Sequence, residues 1–516
     1  MKRILSLLLV FCMLTALVAC GASKGDYNYV GGNDAKSPND RIDANINDEE
    51  ANIAGEKNDD DSADQAGKLR ENAFISTLEE PVSTFSADVD TAAYTYFRKM
   101  ANSGYTLEDL QSMLASGLRT EEFVNYFDYN YNLPDDGEVF GTKVQIADCP
   151  WNPNSKLMIL GIAATAATRN TEGNNLVFLI DVSGSMASDD KLPLLKRTFS
   201  TLVSGLSAKD RVSIVTYSGE EKVVLEACPG NQYDKIMKAI NSLRASGSTN
   251  GQAGLRRAYE IARAAYIQGG NNRIIMASDG DLNVGISSPT ELKAFVEQNR
   301  KNGLYLSVLG FGYGNYRDAN MEALADNGNG AYYYIDSARE AERVFGDRLC
   351  STMYTVAEDV KFQITFDPAY ISSYRLIGYE NRVLNKEDFN NDKKDAGEVG
   401  AGHTLTIAYE LVLTAKDAQS DETGSSWMKL AMRYKTPGAT KSTLREYTIG
   451  TEAMTETPDE DFRFFSAVIS FCMLMHNSKY AKTDLRADLQ STLQNMQTED
   501  GYKREFIDLV TGLLGK

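Results

Sequence analysis

The sequence predicts an α/β domain with a central, mostly parallel sheet covered by helices on both faces. This domain is inserted into a β-sandwich-like domain, and the N- and C-terminal parts are helical. Three observations predict this. From about Gly173 to Arg348, short continuous apolar runs alternate with helical stretches, the pattern of a parallel sheet buried on both faces. After Cys350 the period becomes two, in Val360–Phe366, Thr404–Tyr409 and Met428–Met432, as in half-buried antiparallel strands. Before the central domain, Lys143–Ile146 and Leu157–Ile162 look like strands but have no partners nearby, so they are expected to join the later sheet.

At 516 residues the chain exceeds the size of a single core, and two to four domains are expected. Acidic residues (72) outnumber basic ones (53), giving a formal net charge of -19. That excludes nucleic acid as a natural partner, since such binding neutralises phosphates with Lys and Arg. It also disfavours electrostatic docking to anionic lipid.

Residues 1–20 form a leader outside the fold, with Lys2 and Arg3 followed by the apolar stretch Ile4–Val18. The apolar stretch is too short for a comfortable membrane span. It ends Leu17-Val18-Ala19-Cys20-Gly21, which resembles a bacterial lipoprotein signal with Cys20 as the lipidated residue. Residues 21–71 are rich in Asn, Asp, Gly and Ser and too polar to offset their ordering entropy, so they are expected to be a disordered acidic tether. Beyond the leader, the cysteines are Cys149, Cys228, Cys350 and Cys472, with no C-x-x-C pair to suggest zinc or dithiol chemistry. Cys149 and Cys350 flank the central domain and could staple its ends, although free buried cysteines are the default expectation.

Residues 72–138 are expected to be a helical region. One helix covers Ala92 to Asn102, with Asp88 and Asp90 as its capping residues rather than metal ligands. A second opens at Thr106 with a capping box to Asp109, and a third runs from Glu121 to Phe127. Residues 139–171 hold the two orphan strands around the turn Cys149-Pro150-Trp151-Asn152-Pro153, where Trp151 is expected to anchor packing. Residues 172–349 are the α/β domain and 350–456 the β-rich domain. The loop Asp388–Asp395 begins Asp-x-Asn-x-Asp, but Lys393 and Val399 occupy the places where a calcium loop needs glycine and glutamate, so it reads as a solvated loop. Residues 457–516 are helical: Phe464–Met475 is apolar all round and should be buried, and Asp484–Met496 presents Leu485, Leu489 and Leu493 on one face.

The functional signal lies in the central domain. The strand Asn175–Ile180 stops at Asp181-Val182-Ser183-Gly184-Ser185, and a helix follows from Leu192 to Leu206 with Pro193 in its first turn. Side-chain oxygens therefore gather at the carboxyl end of a central strand, where open α/β sheets bind ligands. Hydroxyls and a carboxylate, with no Cys or His nearby, suit a hard cation such as Mg²⁺ or Mn²⁺. One carboxylate is not enough for a stable site. Two further candidates are Thr249, which precedes a helix over about Ala253–Ala265, and Asp279, which follows the strand Arg273–Ala277. A helix cap at Asp181 and Ser183 would account for neither Thr249 nor Asp279. A metal kept only for folding is a further alternative.

Asp181-x-Ser183-x-Ser185, Thr249 and Asp279-Gly280 together resemble the metal-ion-dependent adhesion site of von Willebrand factor type A domains, a Rossmann-like fold. The resemblance implies that Ser183, Ser185 and Thr249 ligate the ion directly, while Asp181 and Asp279 act largely through water. It leaves the sixth position for an acidic side chain of a protein partner. Ser83–Ala92, Cys149–Pro153 and Tyr374–Asn381 extend the resemblance to a group of bacterial lipoproteins of this type. The expected function is thus metal-dependent protein binding at the cell envelope, lipid-anchored, extracytoplasmic and non-catalytic. A structural or assembly subunit is the alternative. A metal-assisted hydrolase is the weaker one: only His403 and His476 exist, and Glu220 and Glu221, the candidate bases, read as surface charges.

Overall fold

A computed structural model describes residues 70–114, 117–166, 172–248, 251–280, 289–312, 318–414 and 426–515. Cys20, the tether up to Leu69 and Thr249 lie outside the described residues. Ahead of the central domain come strands β1 (Ile75–Ser76), β2 (Val82–Ser86), β3 (Phe140–Asp148) and β4 (Lys156–Ala164). Within it come β5 (Asn174–Asp181), β6 (Arg211–Tyr217), β7 (Glu221–Pro229), β8 (Asn271–Ser278), β9 (Tyr305–Gly310) and β10 (Tyr332–Tyr334). After it come β11 (Thr355–Phe366), β12 (Ile371–Ile377), β13 (Gly397–Gly400), β14 (Thr404–Leu413), β15 (Ser426–Lys435) and β16 (Thr443–Gly450).

The central sheet has the order β10-β9-β8-β5-β6-β7. Every pairing is parallel except β6 with β7, where the chain turns straight back to make an antiparallel edge. All eight residues of β5 are buried, as its unbroken apolar run requires. Its side chains alternate between two cores. Leu176, Phe178 and Ile180 pack with Leu195 and Phe199 of the helix Leu192–Ser204. Val177 and Leu179 pack with Leu255 and Tyr259 of the helix Gly251–Ala264. Helices therefore cover both faces.

The remaining strands make two sheets, β1-β12-β14-β4-β3 and β13-β11-β15-β16, with β2 paired to β11. β4 runs antiparallel to β14, from Ala163 opposite Thr404 to Lys156 opposite Leu411. Phe140, Leu160, Ile162, Phe362, Ile364, Ile407 and Met432 fill the space between the sheets. The strands before and after the central domain thus share one sandwich, and the α/β domain is an insertion in it. Its entry and exit meet: Asn174, at the start of β5, donates to the Tyr354 hydroxyl, just before β11, at 3.2 Å.

β1 and β2 lie in the region expected to be helical. β2 has only Phe85 as a large apolar residue among Ser and Thr, so no period announces it, yet Phe85 is fully buried against Phe362. The helices Ala92–Asn102, Leu107–Met113 and Thr120–Tyr126 follow, and the Thr106–Asp109 capping box is present. The capping role expected of Asp88 and Asp90 is not. The Ala93 N–H is taken instead by Glu122 Oε2 at 2.7 Å. Asp90 Oδ1 accepts from the Tyr332 N–H at 2.8 Å, and Asp88 Oδ2 accepts from Arg382 Nε at 2.9 Å. The spare acceptors are used to join segments rather than to end a helix.

The C-terminal helices Glu460–Met475, Leu485–Asn495 and Gly501–Leu514 do not form a core of their own. Phe464, Phe471 and Phe506 interlock with Tyr94, Phe97, Phe123 and Phe127 of the N-terminal helices, so the two helical parts are one body. Leu485, Leu489 and Leu493 are buried as their spacing predicts. Trp151 is fully buried, and its indole N–H donates to Glu410 Oε2 at 3.0 Å. Asn152 and Ser155 donate to Oε1 of the same carboxylate, and Arg375 donates to Oε2, at 2.7 to 2.8 Å. Gly161 in β4 lies under the Tyr131 ring, where a Cβ would collide with it. Cys149, Cys228, Cys350 and Cys472 are all free. No described helix is long and apolar enough to cross a membrane.

Candidate functional site

β5 and β8 are parallel neighbours, with Ile180 opposite Ala277. Asp181 and Asp279 are therefore delivered to the same edge of the sheet. Ser278 Oγ donates to Asp181 Oδ2 at 3.4 Å, and the Ser183 N–H donates to Asp181 Oδ1 at 2.8 Å. The second bond curls the chain back over the strand end, and a short 3₁₀ turn, Gly184–Ala187, follows. The Oγ atoms of Ser183 and Ser185 then lie 3.0 Å apart.

A second loop is fastened to the first. The Gly184 N–H donates to Gly247 O at 3.0 Å, and the Ser246 N–H donates to Val182 O at 2.8 Å. Gly247 has φ +84°, a conformation glycine adopts without strain. This segment leads directly to position 249, which is itself outside the described residues.

Exposure is graded across the site. Asp181, Ser183 and Asp279 are buried, whereas Ser185 is exposed. Burial pushes the Asp181 carboxyl up to about 6, opposed by hydrogen bonds from Ser183 and reinforced by the charge of Asp279. Two carboxylates and the two serine hydroxyls thus face one edge, with no thiol or imidazole beside them among the described residues. Such a set of oxygens can hold a hard divalent cation.

One member of the site was not legible from the sequence. Lys191 Nζ donates to Asp279 Oδ2 at 2.8 Å, with a lysine side chain only 13% exposed. A lysine just before a predicted helix reads as a surface charge, and nothing in its spacing marks it. Gly312, in the glycine-rich segment after β9, is where its stem passes: a Cβ there would run into Lys191 Cγ, Cδ and Cε. Gly312 therefore lies at this rim, against the lysine stem.

Of the candidates for catalysis, the two histidines lie elsewhere, whereas Glu221 stands at this same edge, paired in register with Tyr217, the β6 neighbour of Asp181. His403 is buried at the start of β14, and burial pushes its pKa down to about 3. His476 ends the helix Glu460–Met475, where its Nε2 lies 2.9 Å from Leu118 O. Glu220 and Glu221 are exposed. A second group of carboxylates, Asp359, Asp395 and Glu398, gathers beside β11. Lys435 already pairs with Asp359 there and Arg300 with Asp395.

A protein of Escherichia coli (strain K12) described as uncharacterized protein YfbK is 38% identical over 465 residues, covering 85% of this chain and 79% of its own length. The chain belongs to the YfbK family. Within this YfbK-family chain, residues 175–347 match the von Willebrand factor type A domain model, 351–513 the model for the C-terminal part of YfbK, and 60–159 a model described as von Willebrand factor. The inter-alpha-trypsin inhibitor heavy chain H3 of Homo sapiens is 27% identical over 257 residues, 46% of this chain but only 28% of its own length. Among solved structures, a von Willebrand factor type A protein from Catenulispora acidiphila is similar at TM-score 0.44 and 15% identity, over 74% of this chain and 91% of that one.

Proposed function

We propose that this YfbK-family protein is a cell-envelope lipoprotein that captures a protein partner through a divalent cation, without catalysis. The observation that carries the reading is the pair of serine hydroxyls 3.0 Å apart beside two buried carboxylates. An octahedral ion with metal–oxygen bonds of about 2.1 Å places neighbouring ligands about 3.0 Å apart, so Ser183 and Ser185 fit adjacent corners. Thr249 is the third direct ligand in this reading, Asp181 and Asp279 act through water, and Mg²⁺ or Mn²⁺ is the ion. A corner remains for an acidic side chain of the partner. Cys20 carries the lipid, and the acidic stretch behind it spaces the folded part from the membrane.

The test is capture from an envelope extract by the full chain in detergent, in Mg²⁺ against chelator. Partners retained only in Mg²⁺, and lost with Asp181→Ala, support the reading; equal capture by the variant sinks it. Cys20→Ser is expected to release the protein from the membrane fraction, and continued membrane residence would remove the lipid anchor from the proposal.

A further inference from the structure

Lys191 has no place among the ligands of a cation, because an ammonium offers three donors and no lone pair. It is nevertheless built into the site. Its Nζ lies 2.8 Å from Asp279 Oδ2, and its stem runs through the space left by the missing side chain of Gly312. Gly312 has φ +73°, its carbonyl accepts the Tyr334 hydroxyl, and the neighbouring Phe311 N–H donates to Ser278 O at 3.0 Å. The channel for the lysine is thus fixed by the backbone beside β8. A lysine free to extend into water gives up rotamer freedom to lie there, so its charge has a use at this edge.

Two aspartates neutralise a divalent ion, and the site would then present no net charge to a partner. Lys191 adds a positive charge within the same cluster. We propose that Lys191 is a built-in counter-cation that loosens the hold on the divalent ion and leaves the loaded site one positive charge in excess, to draw the carboxylate of the partner. This rests on the metal-dependent reading above and adds to it a residue that sets the balance between ion affinity and ligand affinity.

The test is a titration of the full chain with Mn²⁺, read by the electron paramagnetic resonance signal of the free ion, followed by acetate titration of the loaded protein. Lys191→Met and Lys191→Gln are expected to bind Mn²⁺ about tenfold tighter than the parent and acetate about tenfold more weakly. Melting in chelator identifies which variant is folded, and the folded one is read. Mn²⁺ binding that is unchanged or weaker in the variants overturns the proposal, since a lysine that only positions Asp279 would give that result. Unchanged acetate binding overturns it equally. Failure of the parent to bind Mn²⁺ at all is a separate result, which overturns the metal reading and this proposal with it.

Discussion

Two sets of buried carboxylates in this protein are treated in opposite ways. At the junction of the N-terminal segment, the central domain and the sandwich, the buried Asp88 and Glu322 and the half-buried Asp326 are gripped by one arginine. Arg382 donates to them at 2.9, 3.1 and 2.6 Å. Arg119 adds a bond to Glu122 and lies 3.4 Å from Glu322. At the end of β5, by contrast, Asp181 accepts from a backbone N–H and a hydroxyl among the described residues, and a lysine donates to Asp279. Arginine satisfies several carboxylates at once and stays fixed. Hydroxyls leave lone pairs that another group can use. The junction joins its carboxylates to arginines within the chain, whereas in the function proposed above the sheet edge takes an ion from outside.

The largest expected effect tests the junction. Arg382→Ala leaves Asp88 buried without its counter-charge and Glu322 with Arg119 alone, and should cost about 4 kcal/mol in urea unfolding. A loss below about 1 kcal/mol would mean the network is not what joins the parts. At the sheet edge the sign should reverse. Asp181 is disfavoured as a carboxylate in the metal-free protein, since its folded-state value near 6 lies above its ordinary 3.8. The stability it contributes is complete below 3.8 and lost as pH rises through about 6. Asp181→Asn should therefore stabilise the metal-free protein at pH 7.5 by about 3 kcal/mol while abolishing metal-dependent capture.

His403 is buried, and its Nε2 has no hydrogen-bond partner among the described residues. Its folded-state value near 3 lies below the ordinary 6.5, so its contribution is present above 6.5 and lost as pH falls from there toward 3. Between pH 7 and pH 5 the parent should lose about 2 kcal/mol more than His403→Gln; parallel pH curves would show that the ring carries no such penalty. Ser185→Ala should have the smallest effect on folding, within about 0.5 kcal/mol for an exposed residue, yet weaken Mn²⁺ binding. A large loss of stability there would blur the distinction between the two regions.

The same contrast governs what the sequence could reveal. β5, β8 and the serine loop were legible because an unbroken apolar run ending in oxygens fits little besides a central strand that opens onto a binding edge. The parallel pairing of β5 and β8 follows from the alternation around them. The union of β4 with β14 was legible because orphan strands must pair with something. Lys191 and Arg382 were not, since a single basic residue looks the same whether it reaches water or a carboxylate many residues away. Asp88 and Asp90 mislead for a related reason: aspartate ahead of a helix is usually a cap, and only the fold shows that Glu122 supplies that bond. β2 was hidden by its serines and threonine. The two helical parts each signalled helix, but not that their phenylalanines share one core.

The contact between Asn174 and Tyr354 bears on how the chain acquires its shape. Ser155 and Glu410, which bond where β4 meets β14 within one sheet, are 255 positions apart, so closing that sheet directly would require a very long and slow loop. The central domain pairs strands nearer in sequence, with 97 positions between Asn175 of β5 and Asn272 of β8, and is expected to condense first. Once it has done so, its two ends already touch, and the separation to be searched shrinks from 255 positions to the 19 before Asn174 and the 56 after Tyr354. The insertion thus works as a staple that forms early. Variants that slow its own folding should delay the sandwich and leave the β3–β4 hairpin, with its apolar face uncovered, as the place where misassembly begins.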